Sequence, residues 1–561
     1  MNPNDTAGHD PNSFEAIAGS PFSRRNFLAG GGATLAMLGA SPLLAACSGS
    51  SGTAATKAST DLTVGVFQEP DTLDPGATGL ALSLFIDSAI YDPLVWYLPK
   101  PDGTSQFVPG LAESYDISSD GTVFTFKLRK DVTFHDGTKF DANAVKATLD
   151  HIVDPATKAR SALGSLGPYK ETRVVDPYTA QVVFSSPNAA FAHEMGTLLF
   201  GMTSPTALKK YGATGMGTNP VGTGPFRFVS YTTANQVVLE RNPDYKWGPS
   251  TFGPPGPAKL KTLTFKILPD TNARYNALGA GQIDMAMNLD PNNIAAIKKG
   301  KQFMHYNVPS TGQPYGYPIN VAKPPTDELA VRQAILHAVN QDEMVKTVLQ
   351  DAYQPAHYLL TPTTPGYSQS GAGQFPYDPD KAKSLLDSAG WAAGSGGVRQ
   401  KNGKPLQLDI LIQSANGFDL PTQYIANSLQ QIGFSSNISA QPFLTAAASY
   451  NNGVQNLSAI FYYDVDPYFL LSLTGCDAVK SGFNWAHFCQ PASDKDLAQL
   501  NTVVNEVQRN QGLQKATENL MAQGIFLPLW NVSGVYSTVM NLKGLHFGPT
   551  GYALFHTAEL A

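Results

Sequence analysis

Hydrophobic and polar residues alternate along short segments of the chain, which is the pattern of strands that bury one face. Within residues 122–129, Phe124, Phe126 and Leu128 fall on one face and polar side chains on the other. A preceding Asp-Gly pair predicts a turn into this strand. Further strands are predicted by the same criteria at residues 62–67, 225–229, 236–240, 263–267, 406–412 and 458–462.

Other segments repeat hydrophobic residues at intervals of three and four, which predicts amphipathic helices. Asp141 is predicted to cap one helix, and the pair Asp378-Pro379 is predicted to begin another, because proline is favoured at the first helical position. Because strands and helices alternate throughout, the predicted fold class is α/β with several lobes. Two longer helices are predicted to begin at Thr326 and Asp494, with hydrophobic residues in register as far as Leu349 and Val507.

The N-terminal region has a different pattern, because Arg24 and Arg25 precede an uncharged stretch that runs to Ala46. A positive segment before an apolar one is typical of an export signal. The arginine pair followed by Phe-Leu resembles a twin-arginine signal, which directs folded proteins across the membrane. The run Leu-Ala-Ala-Cys that ends at Cys47 resembles a lipobox, in which the cysteine is lipidated and becomes the new N-terminus.

The alternative of a transmembrane anchor is disfavoured, because the stretch contains several glycines and Pro42 and is barely long enough to span a bilayer. We therefore predict an export signal over residues 1–46 and a flexible Ser/Gly-rich tether over residues 47–60. A lipid on Cys47 would hold the folded protein at the outer face of the cell membrane, in the periplasm or its equivalent.

The chain has 561 residues, which predicts two to four domains. Lys and Arg number 38 against 44 Asp and Glu, a net charge of −6, so nothing favours a nucleic-acid partner. Two cysteines remain after Cys47, namely Cys476 and Cys489, and an exported protein favours a disulfide between them. A metal pair and two free thiols stay open as alternatives, although no CxxC spacing occurs.

Common catalytic motifs are absent from the sequence, including G-x-S-x-G, H-E-x-x-H and the phosphate-binding G-x-x-x-x-G-K-[ST]. The adjacent pair His193-Glu194 is weak evidence for a metal site. No catalytic residue, cofactor or resident metal is therefore predicted.

An aromatic and acidic segment, residues 461–469, contains five aromatic residues and two acids in nine positions. Carboxylates beside tyrosines suit a cleft that holds a cation or polar group against aromatic walls. Alternatively, Phe461 and Phe469 fill a core. A third possibility is that Asp464 and Asp466 are the paired acids of a glycosidase. It is disfavoured, because the two carboxyl groups must face each other across a sugar and one short segment is poorly placed to provide both.

Several ordered segments resemble the family 5 extracellular solute-binding proteins, which are the peptide- and nickel-binding receptors of ABC importers. The segments are "VPGLAESYDISSDGTVFTFKLRKDVTFHDGTKF", "NPVGTGPFRFVSY", "PPTDELAVRQAILHAVN" and "YDPDKAKSLLDSAGW". The resemblance extends from about Leu62 to the end of the chain. "GCDAVKSGFNWAHFC" is similar to a disulfide-bearing segment of dipeptide-binding relatives, which favours the Cys476–Cys489 bond.

The resemblance implies a two-lobed periplasmic-binding-protein-like fold, of type II and similar to cluster C, with an extra domain on the first lobe. The two lobes would close on a ligand by a hinge. The implied first lobe comprises residues 61–94, 216–305 and 535–561, the extra domain residues 95–215, and the second lobe residues 306–534.

The resemblance also implies a ligand site at the aromatic and acidic segment. Peptide-binding relatives place an ammonium-binding aspartate four residues before the proline of this segment, where this chain has Tyr463, and the nearest acid is Asp464. The predicted ligand-binding residues are Tyr462, Tyr463, Asp464 and Asp466 from the second lobe and Gln68 and Glu69 from the first.

We therefore expect a monomeric, lipid-anchored receptor that captures a solute and presents it to an ABC permease, and not an enzyme. A peptide is the favoured ligand on family grounds, and an oligosaccharide, a metal chelate or haem remain open. The alternative from a different class is a secreted hydrolase of glycans or cell wall.

Overall fold

A seven-stranded mixed sheet is the largest element of the computed structural model, which describes residues 59–100, 104–414 and 417–561. Cys47, Arg24 and Arg25, with the predicted signal and most of the tether, lie outside the described residues. The sheet has the order β12-β22-β11-β1-β10-β9-β8. Its strands are β1 (Asp61–Val66), β8 (Phe226–Thr232), β9 (Gln236–Arg241), β10 (Thr262–Ile267), β11 (Met285–Met287), β12 (Phe303–Pro309) and β22 (Ser533–Val539).

The first strand lies in the middle of this sheet, parallel to both β10 and β11. Leu62, Val64 and Val66 of β1 are buried in one hydrophobic core with Phe265 of β10. We call the sheet and this core the large-sheet unit. It also includes two short hairpins near the C-terminus, which pair β23 (Leu542–Lys543) with β26 (Glu559–Leu560) and β24 (His546–Phe547) with β25 (Ala553–Leu554).

A second unit, which we call the four-stranded unit, has its own core. Phe124, Phe126 and Leu128 of β5 point into that core, so the predicted alternation is confirmed. Asp141 accepts hydrogen bonds from the N–H groups of Asn143 and Ala144 and caps α2, also as predicted. The strands are a hairpin of β2 (Val95–Pro99) and β3 (Ser105–Pro109) and a sheet of β4 (Ala112–Ile117), β5 (Val123–Leu128), β7 (Thr179–Phe184) and β6 (Tyr169–Asp176), in that order.

The remaining strands form what we call the paired-sheet unit, because an isolated bridge between Ile319 and Leu457 links two three-stranded sheets. Each of the six further strands predicted from the sequence is confirmed, the last as two short strands that flank Ala459. The strands are β13 (Gly312–Pro318), β20 (Ile460–Tyr463) and β21 (Phe526–Trp530) in one sheet, β17 (Gln407–Gln413), β18 (Ser435–Gln441) and β19 (Leu457–Ser458) in the other, and the small β14 (Ala392–Ala393), β15 (Arg399–Lys401) and β16 (Lys404–Pro405).

Helices cover the outer faces of these sheets and supply the residues between them. Asp378 caps α11 by accepting from the N–H of Lys381, as predicted. The helices are α1 (Ala81–Asp87), α2 (Ala142–Val153), α3 (Ser161–Leu166), α4 (Phe191–Glu194), α5 (Pro205–Gly215), α6 (Thr271–Gly279), α7 (Pro291–Gly300), α8 (Leu329–Ala338), α9 (Gln341–Thr347), α10 (Gln369–Ala372), α11 (Pro379–Ser388), α12 (Asp419–Gln430), α13 (Phe443–Asn451), α14 (Leu470–Thr474), α15 (Ala478–Ser481), α16 (Pro491–Leu500) and α17 (Glu506–Ala522).

Each of the two longer predicted helices is wrong as a single element. The Thr326 hydroxyl donates to the carbonyls of Asn320 and Lys323 instead of capping a helix, and α8 begins only at Leu329. Asn340 then interrupts the run, because its side chain caps α9. The predicted helix from Asp494 to Val507 likewise ends at Leu500, and the side chain of Asn505 caps α17. In both cases the reason is that asparagine is favoured at the N-cap of a helix and disfavoured in a helix interior, so a new helix begins there.

The chain passes between the large-sheet and paired-sheet units twice, from β12 into β13 and from β21 into β22. The two passages are neighbours, since Val308 pairs with Gly534 and the N–H of Ser310 donates to the carbonyl of Val532. Gly534 has to be glycine, because a Cβ there would lie 1.9 Å from the carbonyl oxygen of Gly551. Two adjacent passages are the arrangement expected of a hinge.

A disulfide joins Cys476 and Cys489, which confirms the predicted pairing. The N–H of Cys476 also donates to the carboxylate of Asp494, so the loop is fastened to α16. Among the residues that the structure describes, no helix is both long and apolar enough to cross a membrane. The proposed domain boundaries, at residues 94, 215, 305 and 534, stay a prediction.

Candidate functional site

The aromatic and acidic segment begins on β20, which pairs with β13 next to the two passages. Tyr463 lies opposite Gly312, and Tyr462 lies opposite Gln313. Gly312 has a φ of 127°, and a Cβ there would lie 2.0 Å from the carbonyl oxygen of Tyr462. Glycine at this position therefore allows the segment to lie tight against β13, close to the hinge.

The two tyrosines point to opposite sides of β20, as successive strand residues do. Tyr462 stacks on Phe469 with ring centroids 5.3 Å apart. The hydroxyl of Tyr463 is hydrogen-bonded to that of Tyr315, and burial raises the pKa of Tyr463 well above its ordinary value. At the position where peptide-binding relatives have an aspartate, this protein therefore presents a neutral phenol.

Both phenylalanines of the segment serve the core, as one interpretation of the sequence proposed. Phe469 is buried in a cluster around Tyr358 and Leu470. Phe461 is partly buried and stacks on Tyr315 with centroids 4.2 Å apart. Between them, Tyr462, Tyr463, Asp464 and Tyr468 are half-buried, and the first three are the ones predicted to contact a ligand.

Asp464 follows β20 directly and is half-buried. One of its oxygens accepts a hydrogen bond from the N–H of Asp466 at 3.1 Å. Its carboxyl group is also hydrogen-bonded to the carboxyl of Glu194, which lies on α4 of the four-stranded unit. Burial raises the pKa of Asp464 to about 6, and burial together with the charge of Asp464 raises the pKa of Glu194. The two carboxyls therefore share a proton.

Asp466 lies in a buried ionic network instead. Arg509 of α17 donates to both of its carboxylate oxygens, at 2.6 and 2.7 Å, and Nδ1 of His193 lies 2.7 Å from one of them. Burial by itself raises the pKa of Asp466, but the charge of Arg509 and the bonds from both partners hold it well below its ordinary value. The predicted ligand contact of Asp466 stays a prediction, and its observed bonds are all internal to the protein.

The same seam between the four-stranded and paired-sheet units has a third polar contact. The carbonyl and the side-chain oxygen of Asn501 accept the N–H groups of Ala189 and Ala190, both at 2.8 Å. Together with Asp466 and Asp464, Asn501 ties residues 188–194 to the paired-sheet unit.

The two residues predicted from the first lobe, Gln68 and Glu69, follow β1 of the large-sheet unit. Glu69 accepts the N–H of Ala234 in the turn between β8 and β9, and its carboxylate also bonds to Tyr231. Gln68 is half-buried. Within the described ranges, no hydrogen bond or ion pair joins either residue to Tyr462, Tyr463 or Asp464, so their ligand contacts stay a prediction.

Sequence reasoning missed two residues near the segment that have buried polar atoms without a partner. These are the side-chain oxygen of Gln313, which lies opposite Tyr462 in the sheet, and the hydroxyl of Tyr552. Tyr552 belongs to the large-sheet unit, and Tyr536 lies close to both Tyr463 and Tyr552. A buried polar atom without a partner destabilises a protein unless something bonds to it. No sequence signal marks either position.

Glu194 was considered from the sequence only as half of a weak metal motif. The part of the chain that the structure describes holds no group of three or more His, Cys, Asp or Glu suited to a metal ion. The contact between Glu194 and Asp464 joins positions far apart in the chain, and no periodicity or motif could have predicted this contact.

Comparisons with known proteins agree with one another. The model of the bacterial extracellular solute-binding proteins of family 5 matches residues 106–481. The chain is 30% identical over 523 residues to the glutathione-binding protein GsiB of Shigella dysenteriae. The match covers 90% of this chain and 95% of that protein. NikA from Brucella suis, solved in complex with Fe(III)-EDTA, is 25% identical with a TM-score of 0.78 and covers 89% of this chain and 100% of its own. DppA from Helicobacter pylori, solved with the peptide STSA, is 24% identical with a TM-score of 0.71 and covers 89% and 98%.

Replacing Asp466 with asparagine is expected to destabilise the protein strongly. Asp466→Asn leaves the buried guanidinium of Arg509 without its counter-charge, which costs about 3–5 kcal/mol in the free energy of unfolding. Urea unfolding of the wild type and the variant measures this change in the free energy of unfolding. The matched control is Asp244→Asn, since Asp244 also pairs with an arginine but its side chain is 69% exposed. The control should change stability by less than about 1 kcal/mol, and equal effects of the two variants would contradict a structural role for the network.

Replacing Glu194 with glutamine is expected to reduce the pH dependence of stability. Because the pKa values of Glu194 and Asp464 are raised on folding, their contribution is complete at low pH and is lost as the pH rises through about 6 and above. In Glu194→Gln an amide N–H replaces the shared proton and does not titrate.

Between pH 5 and pH 8.5 the wild type should therefore lose about 1–2 kcal/mol more unfolding free energy than Glu194→Gln. Urea titrations at several pH values measure this difference. Glu113→Gln removes an exposed acid and should follow the wild type. A profile for Glu194→Gln that coincides with the wild type would disprove the shared proton.

Proposed function

This chain belongs to family 5 of the bacterial extracellular solute-binding proteins, and we propose that its ligand is a peptide or peptide-like solute with a free ammonium group. Like its relatives, it is a solute-binding protein of an ABC importer. It is not an enzyme. The predicted two-lobed α/β fold is confirmed by the solved structures that it resembles. The alternative of a secreted hydrolase is set aside, because the relatives bind their solutes.

Asp464 supports a cationic ligand most directly. Its neighbours Tyr462 and Tyr463 are aromatic, and the charged groups that act on it most closely among the described residues are two other acids, Glu194 and Asp466. A carboxylate away from bulk water attracts a cation much more strongly than a solvated one does. An ammonium group at Asp464 would take over the role that the shared proton has in the empty protein.

The buried hydroxyl of Tyr552, which has no described partner, supports a ligand with hydrogen-bonding groups. It can donate or accept a bond, whereas the partnerless amide oxygen of Gln313 lies on the Tyr462 side of β20. A peptide backbone offers both N–H donors and carbonyl acceptors at regular spacing. Relatives also fit this class, since GsiB is a glutathione-binding protein and DppA was solved with a peptide.

Transport would follow from the hinge. A ligand that contacts Asp464 in the paired-sheet unit and Tyr552 in the large-sheet unit stabilises their closed arrangement. The closed protein would then deliver its solute to the permease. We expect the protein to act as a monomer, anchored through a lipid on Cys47.

Asp464→Asn is expected to weaken a peptide with a free N-terminus selectively. Loss of a charge-assisted contact costs roughly 1.5–3 kcal/mol, about one to two decades in the dissociation constant. Calorimetric titration should use trialanine and glutathione, with N-acetyl-trialanine as the matched ligand that lacks the ammonium.

The wild type should prefer trialanine to its acetylated form, and Asp464→Asn should abolish the preference. If stacking dominates instead, as for a neutral sugar, Tyr462→Ala will weaken binding and Asp464→Asn will not. Equal affinity of the wild type for the free and acetylated peptides would contradict the proposal.

Cys47→Ala tests the proposed anchor. A protein without the lipidated cysteine should remain unprocessed or be released from the membrane fraction. Membrane fractionation and immunoblotting of wild type and variant measure this. The control is Cys476→Ala, which removes a disulfide cysteine and leaves the lipobox intact. A mature-size Cys47→Ala protein that stays with the membrane would refute the anchor.

A further inference from the structure

A groove lies beside the Asp466 network, between the four-stranded and paired-sheet units. We call it the seam groove. It has a volume of about 180 Å³. It is lined from the four-stranded unit by Phe107, Tyr115, Ile117, Gly121, Phe124, Ala189, Ala192 and His193, and from the paired-sheet unit by Val503, Val504, Glu506 and Arg509.

The ring of His193 lines this groove, and in its neutral form it has one nitrogen that accepts a hydrogen bond. Asp466 is ionised, and an ionised carboxylate only accepts hydrogen bonds, so the proton of the His193–Asp466 bond is on Nδ1. In the neutral ring Nε2 is then the acceptor. No described atom hydrogen-bonds to that Nε2. The ring itself is fixed, because it stacks on Phe107 with centroids 5.7 Å apart and an interplanar angle of 16°.

The charges around the groove favour a cation. The guanidinium of Arg509 is committed to Asp466 and to the carbonyl of Leu500. Glu506, the first residue of α17, is exposed at the rim and has a negative charge close to the ring of Tyr115. Glu194 and Asp464 add a further negative charge on the other side of the network. The net charge of these groups around the groove is therefore negative.

The apolar walls require a ligand with an apolar body. Phe107, Tyr115 and Ile117 face Val503 and Val504 across the groove. Aromatic faces attract cations as well as apolar groups. A carboxylate ligand would meet Glu506 and a nitrogen lone pair, and a purely apolar one would leave His193 without a donor.

We propose that the seam groove is a second binding site, which takes a small apolar or aromatic amine with its N–H group directed to His193 Nε2 and its charge toward Glu506. This site is separate from the one proposed at Asp464. Since its walls come from two units, an amine bound there stabilises the contact between the four-stranded and paired-sheet units.

Calorimetric titration of the purified protein with 2-phenylethylamine tests the proposal. The two matched probes are 2-phenylethanol, which keeps the ring and loses the charge, and phenylacetate, which reverses the charge. The amine is expected to bind at least tenfold more tightly than the alcohol, and phenylacetate should not bind measurably. Equal binding of amine and alcohol, or preferred binding of phenylacetate, would overturn the proposal.

Variants locate the site. Glu506→Gln should weaken the amine about tenfold, whereas the control Asp496→Asn removes an exposed acid of α16 that does not line the groove and should have no effect. Val504→Trp should fill the groove and abolish binding, with thermal unfolding as the check that it folds. If the amine binds but neither Glu506→Gln nor Val504→Trp weakens it, the amine occupies another place. The groove proposal then fails, and the proposed peptide receptor function is untouched.

Discussion

The buried carboxylate of Asp466 joins the four-stranded and paired-sheet units, because it pairs with Arg509 within the paired-sheet unit and with His193 of the four-stranded unit. Removing two charges from water costs several kcal/mol each, and the cost is recovered only when geometry and hydrogen bonding are good. Here the guanidinium reaches both carboxylate oxygens, and His193 and the N–H of Tyr468 complete the shell. The same pair fixes the start of α17, the ring of His193 and the backbone that leads from Asp464. The geometry of the candidate site and that of the seam groove both depend on it.

Asp464 and Asp466 show how position decides the state of two acids separated by one residue. Asp466 faces Arg509 and is held ionised, whereas Asp464 has no such cation beside it in the described structure and burial raises its pKa to about 6. One acid is therefore structural and satisfied, and the other remains available to a cation. Tyr463 reinforces the division, because a neutral phenol occupies the position at which peptide-binding relatives have an aspartate. An ammonium site would thus be displaced by one residue along the segment.

Local signals in the sequence predicted local structure well. The alternation around Phe124 and the cap at Asp378 depend on neighbours in the chain, and both are confirmed. The sequence analysis missed the helix breaks at Asn340 and Asn505, because the apolar periodicity continues through both positions. In the structure each asparagine side chain caps the helix that follows. The contact between His193 and Asp466 spans 273 positions, and the burial of the partnerless polar atoms of Gln313 and Tyr552 depends on the assembled fold. Composition and spacing hold no record of such contacts. The sequence drew attention to the aromatic and acidic segment, whose role as the ligand site stays a prediction, but it gave no indication of how the two acids pair.

The strand order of the large sheet has a consequence for biosynthesis. β22 lies between β11 and β12, yet it begins at Ser533, after the whole paired-sheet unit has been made. At about 5–20 residues per second, β12 waits roughly 10–45 s for this neighbour. Until then β11 and β12 expose unpaired edges, which favour aggregation. The large-sheet unit therefore closes only near the end of translation, and the nascent chain has to be protected at that edge while it waits.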